Sequence, residues 1–83
     1  MIINGTNRRD ILNGTTLDDV IRGFRGNDDL SGRGGDDQLF GGDGNDRLFG
    51  GDGEDQLSGG NGDDRLNGGD DDDRLNGATA TTG

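Results

Sequence analysis

Asp10, Asp19, Asp28, Asp37, Asp46, Asp55, Asp64 and Asp73 fall nine residues apart along a chain of 83. Carboxylates repeated at a fixed spacing can do two kinds of chemistry. A close pair can act as acid and base on a glycosidic bond. A close pair can also hold a hard cation, provided that further oxygens complete its shell. The chain has no His, Cys, Lys or Tyr and a single Glu, Glu54, so groups for catalysis are scarce. The period therefore assigns the carboxylates to ions, and the chain is expected not to be an enzyme.

The aspartates sit inside a larger repeat. Gly41 to Asn67 reads GGDGNDRLF, GGDGEDQLS, GGNGDDRLN, three uninterrupted copies of one unit. Glycine opens each unit and returns at positions two and four, aspartate is sixth and leucine eighth. The register extends back to Gly5 and forward to Gly77. Position eight is aliphatic throughout: Leu12, Ile21, Leu30, Leu39, Leu48, Leu57, Leu66 and Leu75, with Ile3 in a partial unit before them. A repeat this regular sets the architecture ahead of any local propensity.

Helix does not suit this pattern. Glycine recurs every four or five residues, at a cost of about 1 kcal/mol each inside a helix, and the apolar period is nine rather than about 3.6. A six-residue turn followed by a three-residue strand does suit it, with the position-eight residue pointing inward. Two units then make an 18-residue coil carrying two short strands, and coils stacked at about 4.8 Å pair like strands in parallel. The expectation is an all-β parallel β-roll of about four coils. Leu12, Leu30, Leu48 and Leu66 line one inner face, and Ile3, Ile21, Leu39, Leu57 and Leu75 line the other.

Stacking also brings like aspartates together. One edge carries Asp10, Asp28, Asp46 and Asp64; the other carries Asp19, Asp37, Asp55 and Asp73. Two carboxylates about 5 Å apart repel by roughly 3 kcal/mol at an effective dielectric of about 20. A divalent cation between them reverses the sign. Glycine turns can aim backbone carbonyls inward, because glycine reaches backbone angles other residues avoid. Carboxylates plus carbonyls make an all-oxygen site, which suits calcium better than magnesium with its tight octahedral demand.

The pattern G-G-x-G-x-D-x-U-x over residues 5–76 resembles the RTX, or haemolysin-type, calcium-binding repeat. That resemblance implies a right-handed roll with calcium between successive turns on each edge. It implies that one turn gives the carbonyls of positions two and four and its aspartate, and the next turn gives those of positions one and three and its own aspartate. Carried onto this chain, one site takes Gly42, Gly44 and Asp46 with Gly59, Asn61 and Asp64. A second takes Gly51, Gly53 and Asp55 with Gly68, Asp70 and Asp73. A third takes Phe24, Gly26 and Asp28 with Gly41, Asp43 and Asp46. A fourth takes Arg33, Gly35 and Asp37 with Gly50, Asp52 and Asp55. The pairs Asp10/Asp28 and Asp19/Asp37 would raise the count from four calcium ions to six, although their upstream turns lack glycine at positions two and four.

Composition bounds the rest. Leu, Ile, Val and Phe supply 16 of 83 residues and the net charge is −10, so the core is small for a charged chain. That deficit calls for an outside source of folding energy, which bound metal is expected to supply. Without Cys a disulfide framework is excluded. No apolar run is long enough for a signal peptide or a membrane span, and an acidic chain without lysine is a poor nucleic-acid binder. Residues 1–77 form the array, with 1–22 as degenerate opening repeats that carry Thr6, Arg8, Thr15 and Leu17 where glycine is usual, and so form stiffer or worse-made turns. Residues 78–83 break the pattern and are expected to form a frayed tail. The sequons Asn4-Gly5-Thr6 and Asn13-Gly14-Thr15 are read as turn chemistry rather than glycosylation. The resemblance implies a secreted, extracellular bacterial module, a fragment or isolated roll without the usual C-terminal secretion segment, attached elsewhere to a catalytic or toxin domain. A different reading uses the outward Arg47 and Arg65 with Phe40 and Phe49 to hold a polysaccharide or a partner.

Overall fold

A computed structural model describes residues 1–77 and 79–81. Ten three-residue strands follow one another: β1 (Ile2–Asn4), β2 (Ile11–Asn13), β3 (Val20–Arg22), β4 (Asp29–Ser31), β5 (Gln38–Phe40), β6 (Arg47–Phe49), β7 (Gln56–Ser58), β8 (Arg65–Asn67), β9 (Arg74–Asn76) and β10 (Thr79–Thr81). They form two parallel sheets, ordered β1-β3-β5-β7-β9 and β10-β8-β6-β4-β2. Alternate strands lie in alternate sheets, so each coil takes two nine-residue units, as the period requires. Leu30 pairs with Leu48 and Leu48 with Leu66 on one sheet; Ile21 pairs with Leu39 and Leu39 with Leu57 on the other. The chain is a β-solenoid of about four turns, with no helix among the described residues.

Three-residue strands have one inward residue each, and the burial follows it. Ile21, Leu30, Leu39, Leu48, Leu57 and Leu66 are buried, with Ile3, Leu12 and Leu75 packed against their two ends. Burial at position eight forces positions seven and nine outward, since successive side chains alternate across a strand. Phe40 and Phe49 accordingly lie exposed on opposite sheets. Among the described residues no helix is long and apolar enough to cross a membrane.

The C-terminal residues depart from the expected tail. Thr79–Thr81 pair in parallel with β8, Thr79 with Arg65 and Thr81 with Asn67. Their spacing from β8 is shorter than the 18 residues that separate the other partners, so the chain reaches the open sheet edge without building a full turn. A three-residue Thr-Ala-Thr segment meets the modest demand of one more parallel strand, Thr being a good strand former. Residues 78, 82 and 83 lie outside the described residues.

Candidate metal centre

The turns between strands place the repeat aspartates on the two expected edges, and backbone hydrogen bonds tie each to the next. The N–H of Asp10 donates to Oδ1 of Asp28 at 2.8 Å. The same bond at the same length runs from Asp19 to Asp37, Asp28 to Asp46, Asp37 to Asp55, Asp46 to Asp64 and Asp55 to Asp73. All eight aspartates thus join their predicted 18-residue partners. Asp19, Asp28, Asp37, Asp46, Asp55 and Asp64 are at most 2% exposed.

The other carboxylate oxygen is the informative one. Oδ2 of Asp28, Asp37, Asp46, Asp55, Asp64 and Asp73 is buried with no hydrogen-bond partner. Leaving one buried acceptor unsatisfied costs on the order of 1–3 kcal/mol, and more when it is charged. Six among the described residues call for a partner of another kind. Burial is the main cause that raises the carboxyls of Asp28, Asp37, Asp46, Asp55 and Asp64, reinforced by the neighbouring aspartates. Asp46 and Asp55 are pushed up to about 7, Asp37 to about 6, and Asp28 and Asp64 upward. A cation would supply the charge and the coordination that these oxygens lack.

Backbone shape explains how the turns leave those oxygens bare. Positions two and four of the six turns that begin at Gly23 all have positive φ. Glycine fills most of them, and Phe24 (φ 67°), Arg33 (72°) and Asp71 (74°) adopt the same conformation. This left-handed region costs an ordinary residue about 1–2 kcal/mol, so the three departures from glycine change the cost and not the path. At Gly44 (φ 102°) an added Cβ would strike the carbonyl oxygen of Gly26. At Gly41 it would lie 2.6 Å from Oδ2 of Asp46. Glycine therefore keeps open both the run of carbonyls along the stack and the space around the bare oxygen.

The remaining expected ligands fall where the period puts them. Gly41, Gly50, Gly59 and Gly68 at position one are buried, while Asp43, Asp52, Asn61 and Asp70 at position three are exposed. Their side chains face solvent, so only the position-three backbone carbonyl is a ligand candidate. Gly26, Gly35, Gly42, Gly44, Gly51 and Gly53 carry the positive-φ carbonyl run. The carbonyls of Phe24 and Arg33 already accept the N–H of Asp43 and Asp52 at 2.9 Å and keep a second lone pair. Among the described residues no three Asp, Glu, His or Cys side chains gather as a metal cluster. The donor set is instead two carboxylates with backbone oxygens, which suits a hard cation such as calcium.

Two features were not read from the sequence. Asp10 and Asp19 are missing from the bare set, because Thr6 and Thr15 donate to them. Position five forms a side-chain ladder of its own: Asn27 Oδ1 accepts the N–H of Asn45, and Asn45 Oδ1 accepts that of Asp63, each at 2.8 Å. On the opposite edge Asp18 Oδ1 accepts the N–H of Asp36, and Asp36 Oδ1 that of Glu54. The signal was an unbroken polar position five from Arg9 to Asp72, with Asn or Asp in most units.

A family model for the RTX calcium-binding nonapeptide repeat matches the chain in four copies, at residues 4–39, 22–57, 31–66 and 49–79. Comparison with curated proteins and comparison with solved structures give no match.

Proposed function

We propose, from the premise that this chain belongs to the RTX calcium-binding nonapeptide repeat family, that it is a non-enzymatic module whose folding is driven by calcium. The six bare buried Oδ2 atoms carry this reading. Each repeat aspartate from Asp28 onward offers one oxygen to the protein and keeps the other for an ion. The carbonyls of positions two and four of one turn, and of positions one and three of the next on that edge, would complete the shell. The ion supplies charge neutralisation and coordination; the chain supplies an all-oxygen cradle and a stack that aligns it.

Folding and binding are one process in this reading. The solenoid is the conformation that assembles the carboxylates, and without a cation their repulsion and dehydration oppose it, so binding free energy is folding free energy. RTX repeats typically belong to secreted bacterial proteins, and extracellular calcium would then be the trigger. An attached catalytic or toxin domain would supply any activity. Calorimetry of the full chain tests the metal assignment. Millimolar calcium is expected to bind with a large ordering heat, whereas magnesium at the same concentration does not order the chain. Equal response to both ions contradicts the assignment.

One observation favours a second reading. Arg47 and Arg65 are register neighbours on the outer face of one sheet. They line a groove of about 480 Å³ with Arg9, Asn27, Asp29, Asn45, Asp46 and Asp63. Among the described residues the ion pairs are Met1 amine to Asp19 and Arg25 to Asp43, so neither groove arginine is in one. Calcium-dependent retention on an anionic polysaccharide column, lost in Arg47→Ala/Arg65→Ala, would support an adhesion role.

A further inference from the structure

The first two turns hold the repeat aspartate in another way. Thr6 donates its backbone N–H to Oδ2 of Asp10 at 2.6 Å, and its hydroxyl lies 3.1 Å from the same oxygen. Thr15 does the same for Asp19, at 2.7 and 3.1 Å. Each threonine oxygen then accepts the N–H two residues on, from Arg8 at 3.1 Å and Leu17 at 3.0 Å, which closes a compact side-chain turn. Thr6, Arg8, Thr15 and Leu17 are not among the residues of positive φ. Every positive-φ residue described belongs to a later turn.

The bare oxygens and the expected pairs agree residue for residue. Asp28, Asp37, Asp46, Asp55, Asp64 and Asp73 have an unpartnered Oδ2. These six are the aspartates of the four downstream pairs Asp28/Asp46, Asp37/Asp55, Asp46/Asp64 and Asp55/Asp73. Asp10 and Asp19 enter only the two upstream pairs, and threonine donors already occupy their Oδ2. A backbone N–H and a hydroxyl proton directed at a carboxylate take the lone pairs a cation needs, and their positive ends repel it. The later turns carry no such donor on that oxygen.

We propose that Thr6 and Thr15 close the first two turns in place of an ion, so that the chain has four calcium sites and a metal-independent first coil. The four sites rest on the calcium reading above; the threonine closure does not. The first coil pairs with β3 and β4 and needs no ion of its own, so the calcium-dependent coils extend from it in one direction along a nearest-neighbour stack.

The test uses the full chain with calcium alone as the probe. Native mass spectrometry and calorimetry are expected to count four ions. The variant Thr6→Gly/Arg8→Gly/Thr15→Gly/Leu17→Gly, which restores glycine at positions two and four, is expected to take six. Five or six ions on the unaltered chain overturn the proposal and leave the calcium reading intact. A glycine variant that still takes four overturns the role given to these residues. A chain that takes no calcium refutes the calcium reading and the four sites with it. The closure has its own check in saturating calcium: Thr15→Val should lower the urea midpoint with the ion count unchanged, and Thr15→Ser should restore it. A Thr15→Val midpoint equal to that of the unaltered chain overturns the closure whatever the ion count.

Discussion

In the turns of Thr6 and Thr15 the repeat aspartate meets protein donors; in the six turns after them one of its oxygens is buried with none. The aspartate, its place in the unit and its 18-residue partner are the same in both regions. The difference lies at positions two and four, which hold Thr6, Arg8, Thr15 and Leu17 outside the positive-φ region in the first two turns. Threonine in ordinary backbone geometry turns its N–H and hydroxyl onto the carboxylate. Where position two has positive φ, whether it is glycine or Phe24 and Arg33, no N–H donates to that oxygen. A small backbone difference thus decides whether a turn is closed by the chain or left for a cation.

The pKa directions express the same contrast. Asp19 lies below the usual carboxylate value, chiefly because the Thr15 N–H donates to it, against the effect of burial. Asp46 and Asp55 are raised to about 7, chiefly by burial. Loss of a carboxylate should therefore hurt far more in the second region. Asp46→Ala removes a group shared by the Asp28 and Asp64 gaps, and a charged hydrogen-bonding partner in such a site is worth about 1.5–3 kcal/mol. The calcium midpoint of folding is expected to rise roughly tenfold to a hundredfold. Asp10→Ala, at the end of its edge, should shift it by less than about threefold, within the range of surface changes. Asp43→Ala keeps its backbone carbonyl and should behave like Asp10→Ala. Equal shifts for Asp43→Ala and Asp46→Ala would contradict the special role of position six.

Acidity separates the two regions next. A carboxyl whose folded pKa is raised gives stability that is fully present below its unfolded value near 3.8 and is lost as pH rises through about 7. Asp19 runs the other way, its contribution present above 3.8 and lost on acidification. The raised groups outnumber it, so in chelator the β signal in circular dichroism should be stronger at pH 4.5 than at pH 8, both conditions chosen as about the edges of that window. With calcium the order reverses, because ligand carboxylates must lose their protons. Its midpoint should rise roughly tenfold or more from about pH 8 to about pH 5.5. A midpoint independent of pH would remove the buried aspartates from the site.

The smallest effect concerns the position-five ladder. Asn45 accepts from Asp63 through its side chain and donates its own N–H to Asn27. Asn45→Ala leaves the partner N–H to water at an exposed edge and should cost about 1 kcal/mol. Its calcium count should stay that of the unaltered chain, which mass spectrometry can check. A lost ion would make position five part of the centre.

Much of this was legible because a strict period fixes stacking. Nine residues, taken in pairs, determine which leucines face inward and which aspartates meet, and no torsion angle is needed for either. The threonine closure was less visible because it depends on where a hydroxyl points, which the period does not encode. Thr6 and Thr15 each stand four residues before the aspartate they serve, and that spacing was the available sign. Phe24 and Arg33 show the reverse limit: their identities argue against left-handed backbone, yet neighbouring coils impose it. β10 escaped notice because pairing needs only an open edge and three suitable residues, and it leaves the period to obtain them.

Circular dichroism of the full chain at neutral pH, first in excess chelator and then through a calcium titration, tests whether the ion makes the fold. The expected result is a largely disordered spectrum in chelator that converts cooperatively to β structure in millimolar calcium and reverts when chelator is restored. A β-rich spectrum in chelator that calcium leaves unchanged would show that the chain folds without the ion and would contradict folding by calcium.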